Sequence, residues 1–356
     1  MKPELSQSTI ESSFQNYHRR RPQRGALVLA ITSHFRLVFI LCMGFALWVA
    51  TAPSLAHAGT KSQGTKSQGT AWVDEWLWGT RLQGVIDDPD GPGPQLVEVV
   101  GFRGDLVEML VWRATTGWRR EARAATALVG LRWLEHRCHE DRRCPRVEYR
   151  IRAVRRDESH NTMAEYADNS LDIWLYEIEF QDRTETRPSA WKPACEQGPD
   201  GATGGVFVDG HWNSHGAWHA EGYTFACTSG VIAKCVRDFG YKPWKHLHSQ
   251  RTGGDVALAP LHRACVRAAR ADYCGDGASH TRDGTLIDMF DRYGFNVRES
   301  GTGMMREAGF SGDGAVWLER PRYDWPRCNA ADVRLSESRA TVSAEALITV
   351  YSVPSR

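Results

Sequence analysis

No two of the nine cysteines in this 356-residue chain stand in C-x-x-C spacing. That absence argues against a zinc ribbon and against a thioredoxin-like redox centre. Ser229, in "CTSG", lacks the G-x-S-x-G elbow, and no other recognisable nucleophile or metal motif replaces it. Excess charge is missing too: 44 Lys and Arg stand against 43 Asp and Glu. A near-neutral balance leaves no electrostatic footprint for nucleic acid, and runs such as "WRREAR" and "RAVRRD" read as solvated faces. The apolar run Leu37–Ala50 holds 14 residues, short of the roughly 20 that a membrane-spanning helix needs.

What is present begins with an export signal. Arg19, Arg20, Arg21, Arg24 and Arg36 precede that apolar run, and Ala56 and Ala58 then form a small-x-small cleavage site. Cutting after Ala58 is expected, with a retained N-terminal anchor as the alternative and a start codon downstream of Met1 also open. Loss of residues 1–58 removes six basic and two acidic residues, leaving 38 against 41. Residues 59–71 carry the five-residue repeat "GTKSQGTKSQGT", which buries too little apolar surface to order itself and is expected to be a flexible spacer.

Beyond the spacer the composition is globular, 42% hydrophobic with fourteen tryptophans. Strands are expected through residues 72–185. "QLVEVVGF" and "DLVEMLVW" flank Arg103 and Gly104 as a hairpin, and "VEYRIRAV" alternates with period two. "EARAATALVGLRWLEHRC" admits a helix or a strand. Residues 186–350 read as a second, disulfide-stapled domain with short helices, so the fold class expected is α+β. Ser229 is a candidate N-cap for a helix over "VIAKCVRDF", whose stripe Val231, Ile232, Cys235, Val236 and Phe239 faces inward. Another helix is expected from Pro260 through "LHRACVRAARADYC", and a third over "TLIDMFDRYG", with an Asp288–Arg292 surface pair. "ATVSAEALITVYSV" suits a last strand.

Four strings, "YTFACTSGVIAKC", "GYKPW", "LHRACVRAARADYCGDG" and "SHTRDGTLIDMFDRYG", occur in this order. Together they resemble the bacterial ADYC domain, named for Ala271-Asp272-Tyr273-Cys274, over about residues 191–294. "GTRLQG" and "WKPAC" upstream are in the same style. The resemblance implies an exported, cysteine-containing protein and brings no activity with it.

Eight cysteines follow the cleavage site, an even number in an exported chain, and four disulfides are expected. Cys235 and Cys265 lie on the apolar faces of two helices and meet if those faces pack. Antiparallel packing would then bring Cys227 to Cys274. Cys138–Cys144 closes the local turn "HEDRR", and Cys195–Cys328 ties the early segment to the C-terminal region.

Two loops carry candidate chemistry. The first holds Asp276, His280 and Asp283. His280 is its only group able to act as a base near neutral pH, while Asp276, Asp283 and Asp288 could offer oxygen ligands to Ca²⁺, though not in EF-hand spacing. The second holds His211, His215 and His219 with Trp212 and Trp218. Spacing of four suits transition-metal ligands on a helix, which Gly210, Gly216, Gly222 and Asn213 argue against; a tryptophan-lined binding platform at Trp212, His215, Trp218 and His219 is the other reading. No cofactor is required, although Ca²⁺ or a transition metal fits these residue types.

Two function classes follow. The first is a disulfide-braced binding or envelope-structural module for a glycan, peptide or protein outside the cytoplasm. It has no nucleic-acid partner, and membrane contact only if the N-terminal segment is retained. The second is an extracytoplasmic hydrolase using His280 with Asp276 or Asp283. Convergence of those side chains in one place separates the two.

Overall fold

The computed structural model describes residues 60–63, 79–87, 93–136, 146–158, 172–184, 189–198, 201–213, 216–282, 284–297, 303–323, 326, 328 and 345–353. The export segment 1–58, most of the spacer, the Cys138–Cys144 pair, His215 and Asp283 lie outside the described residues. Seventeen strands and two α-helices make up the described part, almost all antiparallel. The fold is therefore strand-dominated, which corrects the α+β expectation. The first strand, β1 (Thr60–Gln63), comes from the first copy of the repeat. Part of the expected spacer is thus paired into a sheet.

The larger sheet takes in β2 (Gln83–Asp87), β3 (Pro94–Arg103), β4 (Leu106–Arg113), β5 (Gly117–Ala124), β6 (Arg132–His136), β7 (Arg146–Arg156), β8 (Trp174–Asp182), β9 (Lys192–Pro193), β10 (Gly205–Trp212) and β11 (Trp218–Cys227). Its order is β11-β10-β8-β7-β6-β2-β3-β4-β5, with β9 added to β8. Alternation decides which side faces in: Val107, Met109 and Val111 are buried on β4, as are Val147, Tyr149 and Ile151 on β7. The ambiguous alanine-rich stretch resolves into the end of β5, a 3-10 turn at Ala125–Leu128 and then β6. Thr80, just ahead of β2, exchanges backbone hydrogen bonds of 3.0 and 3.1 Å with Tyr223 on β11. The hydrogen-bonded path from β11 to β2 therefore closes on itself through one bridge. Phe102 fills the interior, 5.0 Å from Phe207 and 5.1 Å from Tyr223, ring centre to ring centre. The domain boundary expected near residue 185 falls inside this sheet, because β8 pairs with β10.

A second layer follows. Helix α1 (Val231–Arg237) and helix α2 (Leu258–Arg270) pack together, with the hairpin of β12 (His246–Ser249) and β13 (Gly254–Ala257) between them in sequence. Helix α2 also packs on a five-stranded sheet, ordered β1-β14-β17-β15-β16. Its other strands are β14 (Thr285–Asp291), β15 (Met305–Ser311), β16 (Gly314–Leu318) and β17 (Ile348–Ser352). The third helix expected is therefore strand β14. Leu286, Ile287 and Phe290 suit a helical stripe, yet Ile287, Met289 and Asp291 are buried at alternate positions, and β17 supplies a full backbone ladder. Asp288 is buried within that strand, so the expected i,i+4 surface pair with Arg292 has no helix to form on. Ser229 does not cap α1 either. Gly230 occupies the cap position without a side-chain hydrogen bond, and Ser229 is buried.

Three disulfides brace the two layers. Cys235–Cys265 joins α1 to α2, with the Cα atoms 5.9 Å apart. Cys227 bonds Cys195 instead of Cys274, and Cys274 bonds Cys328, which corrects both longer pairings expected. The reason is that the molecule has two cores. Cys227 ends β11 inside the large-sheet core, whereas Cys235 and Cys265 lie in the helical core, so an antiparallel helix pair does not carry Cys227 to the end of α2. Cys195 belongs to the same large-sheet core as Cys227.

His262 on α2 is fully buried, 6.5 Å from the Trp212 ring, and its Nε2 lies 3.2 Å from the Ile232 carbonyl. Burial pushes its imidazolium pKa down to about 4. The unfolded chain therefore binds one proton more between its ordinary pKa, about 6.5, and that value. Stability is complete above pH 6.5 and falls as the pH drops through this window, by about 3 kcal/mol from this group. Urea unfolding across the pH range should show that loss, and a His262→Gln chain should show a flatter profile.

Candidate functional site

The signature Ala271-Asp272-Tyr273-Cys274 begins where α2 stops. Ala271 takes a left-handed conformation, φ +53°, the only described non-glycine residue with positive φ. The turn returns the Asp272 N–H to the Arg267 carbonyl at 2.9 Å, satisfying part of the helix end. Asp272 is buried and ion-paired with the buried Arg267. It also accepts the Gly277 N–H at 3.0 Å, so one carboxylate closes the turn and anchors the following loop. Cys274 pins the same turn to Cys328.

Tyr273 points into the small-sheet core, stacked on Phe310 at 5.8 Å. Its hydroxyl donates to Glu307 Oε1 at 2.9 Å and accepts the Arg322 N–H at 2.9 Å. Burial and the neighbouring Glu307 carboxylate hold the phenol well above its usual pKa, so it stays neutral. Arg322 is itself buried: Nε binds Glu307 at 2.8 Å, Nη1 the Ala269 carbonyl at 2.9 Å and Nη2 the Ala268 carbonyl at 2.5 Å. A guanidinium at the carbonyl end of a helix also meets its negative pole. Each residue of the signature is thus committed to the scaffold.

The loop after the signature folds back over α2. The His280 N–H and the Ser279 hydroxyl both donate to the Arg270 carbonyl, at 3.0 and 3.2 Å. The Arg270 guanidinium reaches the Gly277 carbonyl, and burial lowers its pKa. Asp276 is exposed and accepts the Ala278 N–H at 2.9 Å, a turn-forming contact. The His280 ring lies 5.6 Å from Tyr273. No hydrogen bond joins Asp276 to His280 among the described residues, and Asp288 sits on β14. Nor, among the described residues, do three or more His, Cys, Asp or Glu gather in a metal-holding group.

The histidine-rich stretch is a hairpin, β10 to β11, and its tip meets that loop. Gly216 lies so close to it, at φ +76°, that a β-carbon would fall 2.5 Å from the Gly275 carbonyl oxygen. Arg267 bridges the two, donating to the Gly216 carbonyl as well as to Asp272. Both candidate loops therefore adjoin, around a buried arginine that carried no sequence signal beyond its place on a helix. Trp212 is buried and Trp218 packs against it at 4.6 Å, so these indoles form core in place of an open platform. His211 and His219 face each other across the hairpin, with ring centres 5.1 Å apart.

An exposed aromatic pair occurs elsewhere, at the far edge of the large sheet. Trp112 and Trp118 are opposite on β4 and β5, 5.6 Å apart and edge to face, and Trp112 is 40% exposed. Leu106, 47% exposed, lies on the same face of β4. Arg113 and Arg123 bind Glu121, and Arg103 and Arg120 bind Glu108. The Arg113 and Arg123 hydrogen bonds hold the Glu121 carboxyl below its usual pKa.

Removing Asp272 should separate the two kinds of ion pair. Asp272→Ala leaves the Arg267 charge buried, and urea unfolding should show a loss of about 3–5 kcal/mol. Glu121→Ala on the surface should cost less than about 1 kcal/mol. Equal small effects would mean that the signature carboxylate does not hold the turn.

No curated protein matches the chain, and no solved structure does. The model of one domain family, described as the ADYC domain, matches residues 125–324, from the turn after β5 to just past Arg322. That span covers more than half of the chain and contains the whole Asp272, Tyr273, Glu307 and Arg322 network, so the chain belongs to the ADYC-domain family.

Proposed function

We propose that this ADYC-domain protein is an exported binding module that holds an extracytoplasmic glycan on the β4–β5 edge. One contrast carries the reading. The Asp276 carboxylate and the Ser279 hydroxyl of the signature loop are bonded to nearby backbone, while Trp112 at the sheet edge is 40% exposed with the half-buried Trp118 beside it. Indole faces stack on the apolar faces of sugars, and Glu108 and Arg120, on the same face of β4 and β5, supply acceptors and donors for hydroxyl groups. Three disulfides favour an oxidising compartment, which supports export. Among the described residues no helix is long and apolar enough to cross a membrane. The hydrolase alternative pairs His280 with Asp276 or Asp283; among the described residues no hydrogen bond joins Asp276 to His280, and Asp283 lies outside them.

Two measurements check the proposal. N-terminal sequencing of extracytoplasmic material should begin at Gly59; a full-length membrane-integrated form would mean the segment is an anchor. Co-sedimentation with purified cell-wall glycan should be lost in a Trp112→Ala, Trp118→Ala chain and kept in His280→Ala. Turnover of the glycan that disappears in His280→Ala, or equal retention by all three chains, would sink the binding reading.

A further inference from the structure

We infer that His211 and His219 form a surface site for a borderline divalent transition cation, of the Zn²⁺, Cu²⁺ or Ni²⁺ class. The two residues are direct cross-strand partners on β10 and β11, just past a register shift between Asp209 and His211. Such a bulge re-aims the side chains that follow it. The rings lie nearly parallel, 18° apart in tilt, with centres 5.1 Å apart.

Hydrogen bonding fixes which nitrogen of each ring carries the lone pair. His211 Nδ1 is 3.0 Å from the Glu221 carbonyl oxygen, which can only accept. Nδ1 is therefore the donor, and in the neutral ring Nε2 is the nitrogen with the lone pair. Asn213 Oδ1 accepts the Ala217 N–H at 3.0 Å, so the other end of that amide, Nδ2, faces His219 Nε2 at 3.0 Å. An NH₂ group can only donate, so His219 Nε2 also carries a lone pair. In both rings Nε2 is thus the nitrogen placed to accept, on one face of a hairpin. A ring whose Nδ1–H is held by a backbone carbonyl, as in His211, is the arrangement that orients metal-bound histidines.

One wall of the site is fixed and the other can move. Gly79, at φ +66°, packs on the His211 ring so closely that a β-carbon there would lie 2.9 Å from Nδ1. The Thr80–Tyr223 bridge holds that segment against β11. His219 is exposed, so its ring can tilt off the stack and release Asn213 as it turns its lone pair to the ion. Imidazole nitrogen selects this class of cation over Ca²⁺ or Mg²⁺, which prefer oxygen. Water completes the coordination. His215, in the hairpin tip, lies outside the described residues and has no part in the assignment.

Titration of the untagged chain with Zn²⁺ in a calorimeter tests the site, alongside Cu²⁺ quenching of tryptophan fluorescence. Trp212 and Trp218 are the next pair along the hairpin and should report the ion. One saturable site is expected. His219→Asn, at an exposed position, should remove it without lowering the unfolding temperature, and His211→Asn should remove it too. His280→Asn should leave it unchanged. Absence of saturable binding, or its survival in His219→Asn, would overturn the inference. Glycan binding by the β4–β5 edge is a separate readout and does not depend on this result.

Discussion

Arg322 carries a positive charge into a place that water does not reach, and three of its nitrogens are answered there. Two face the last carbonyls of α2 and one faces Glu307 on β15. A buried guanidinium without partners would be intolerable, so its position dictates that α2 ends beside it and that β15 brings a carboxylate. Tyr273 completes the arrangement by bonding both Glu307 and the Arg322 backbone. The left-handed turn at Ala271 is what lets Tyr273 point inward while Asp272, one residue earlier, turns back to Arg267. Helix end, signature and small sheet are therefore one electrostatic unit.

That unit is reached from the large sheet through a second buried arginine. Arg267 donates to Asp272, to the Gly216 carbonyl of the β10–β11 hairpin and, at 3.1 Å, to the Gly312 carbonyl between β15 and β16. Three elements far apart in sequence meet on one guanidinium, whose planar fork suits several acceptors at once. The Cys274–Cys328 bridge constrains the unfolded chain across the same region. A hairpin tip that reads as an isolated histidine-rich loop is thereby part of the signature's surroundings.

Much of the large sheet was legible because its strands are half-buried and alternate. β7 follows from period two, and the β3–β4 hairpin from two apolar runs flanking Arg103 and Gly104. The two helices follow from their stripes, and the Cys235–Cys265 bridge from those stripes facing one another. β14 was not legible as a strand, since its four apolar residues in seven fit both periods and only β17, some sixty residues on, decides between them. The other long disulfides were missed for a related reason: spacing along a helix says nothing about which of two cores a cysteine enters. In the candidate site, His280 and Asp276 drew notice as polar loop residues, yet the Asp276 carboxylate binds the Ala278 N–H and His280 is held by its own backbone N–H. Arg267, Glu307 and Arg322 gave no such signal, because a lone charged residue on a helix or strand normally reads as solvated.

A family signature whose side chains are tied into the fold has consequences for where function resides. Asp272 Oδ2, the Tyr273 hydroxyl and the Cys274 sulfur are engaged within the fold, so altering these residues acts first on stability. Contact with another molecule has to come from surfaces this network supports without forming part of them. The β4–β5 edge is such a surface, and it precedes residue 125, where the family match begins. The shared fold can therefore be kept intact while the edge strands change, because among the described residues β5 has a strand neighbour on one side only. On the proposed reading, identity of fold and identity of ligand are set by different parts of this chain: the first by buried arginines at a helix end, the second by indoles and charges at a sheet edge.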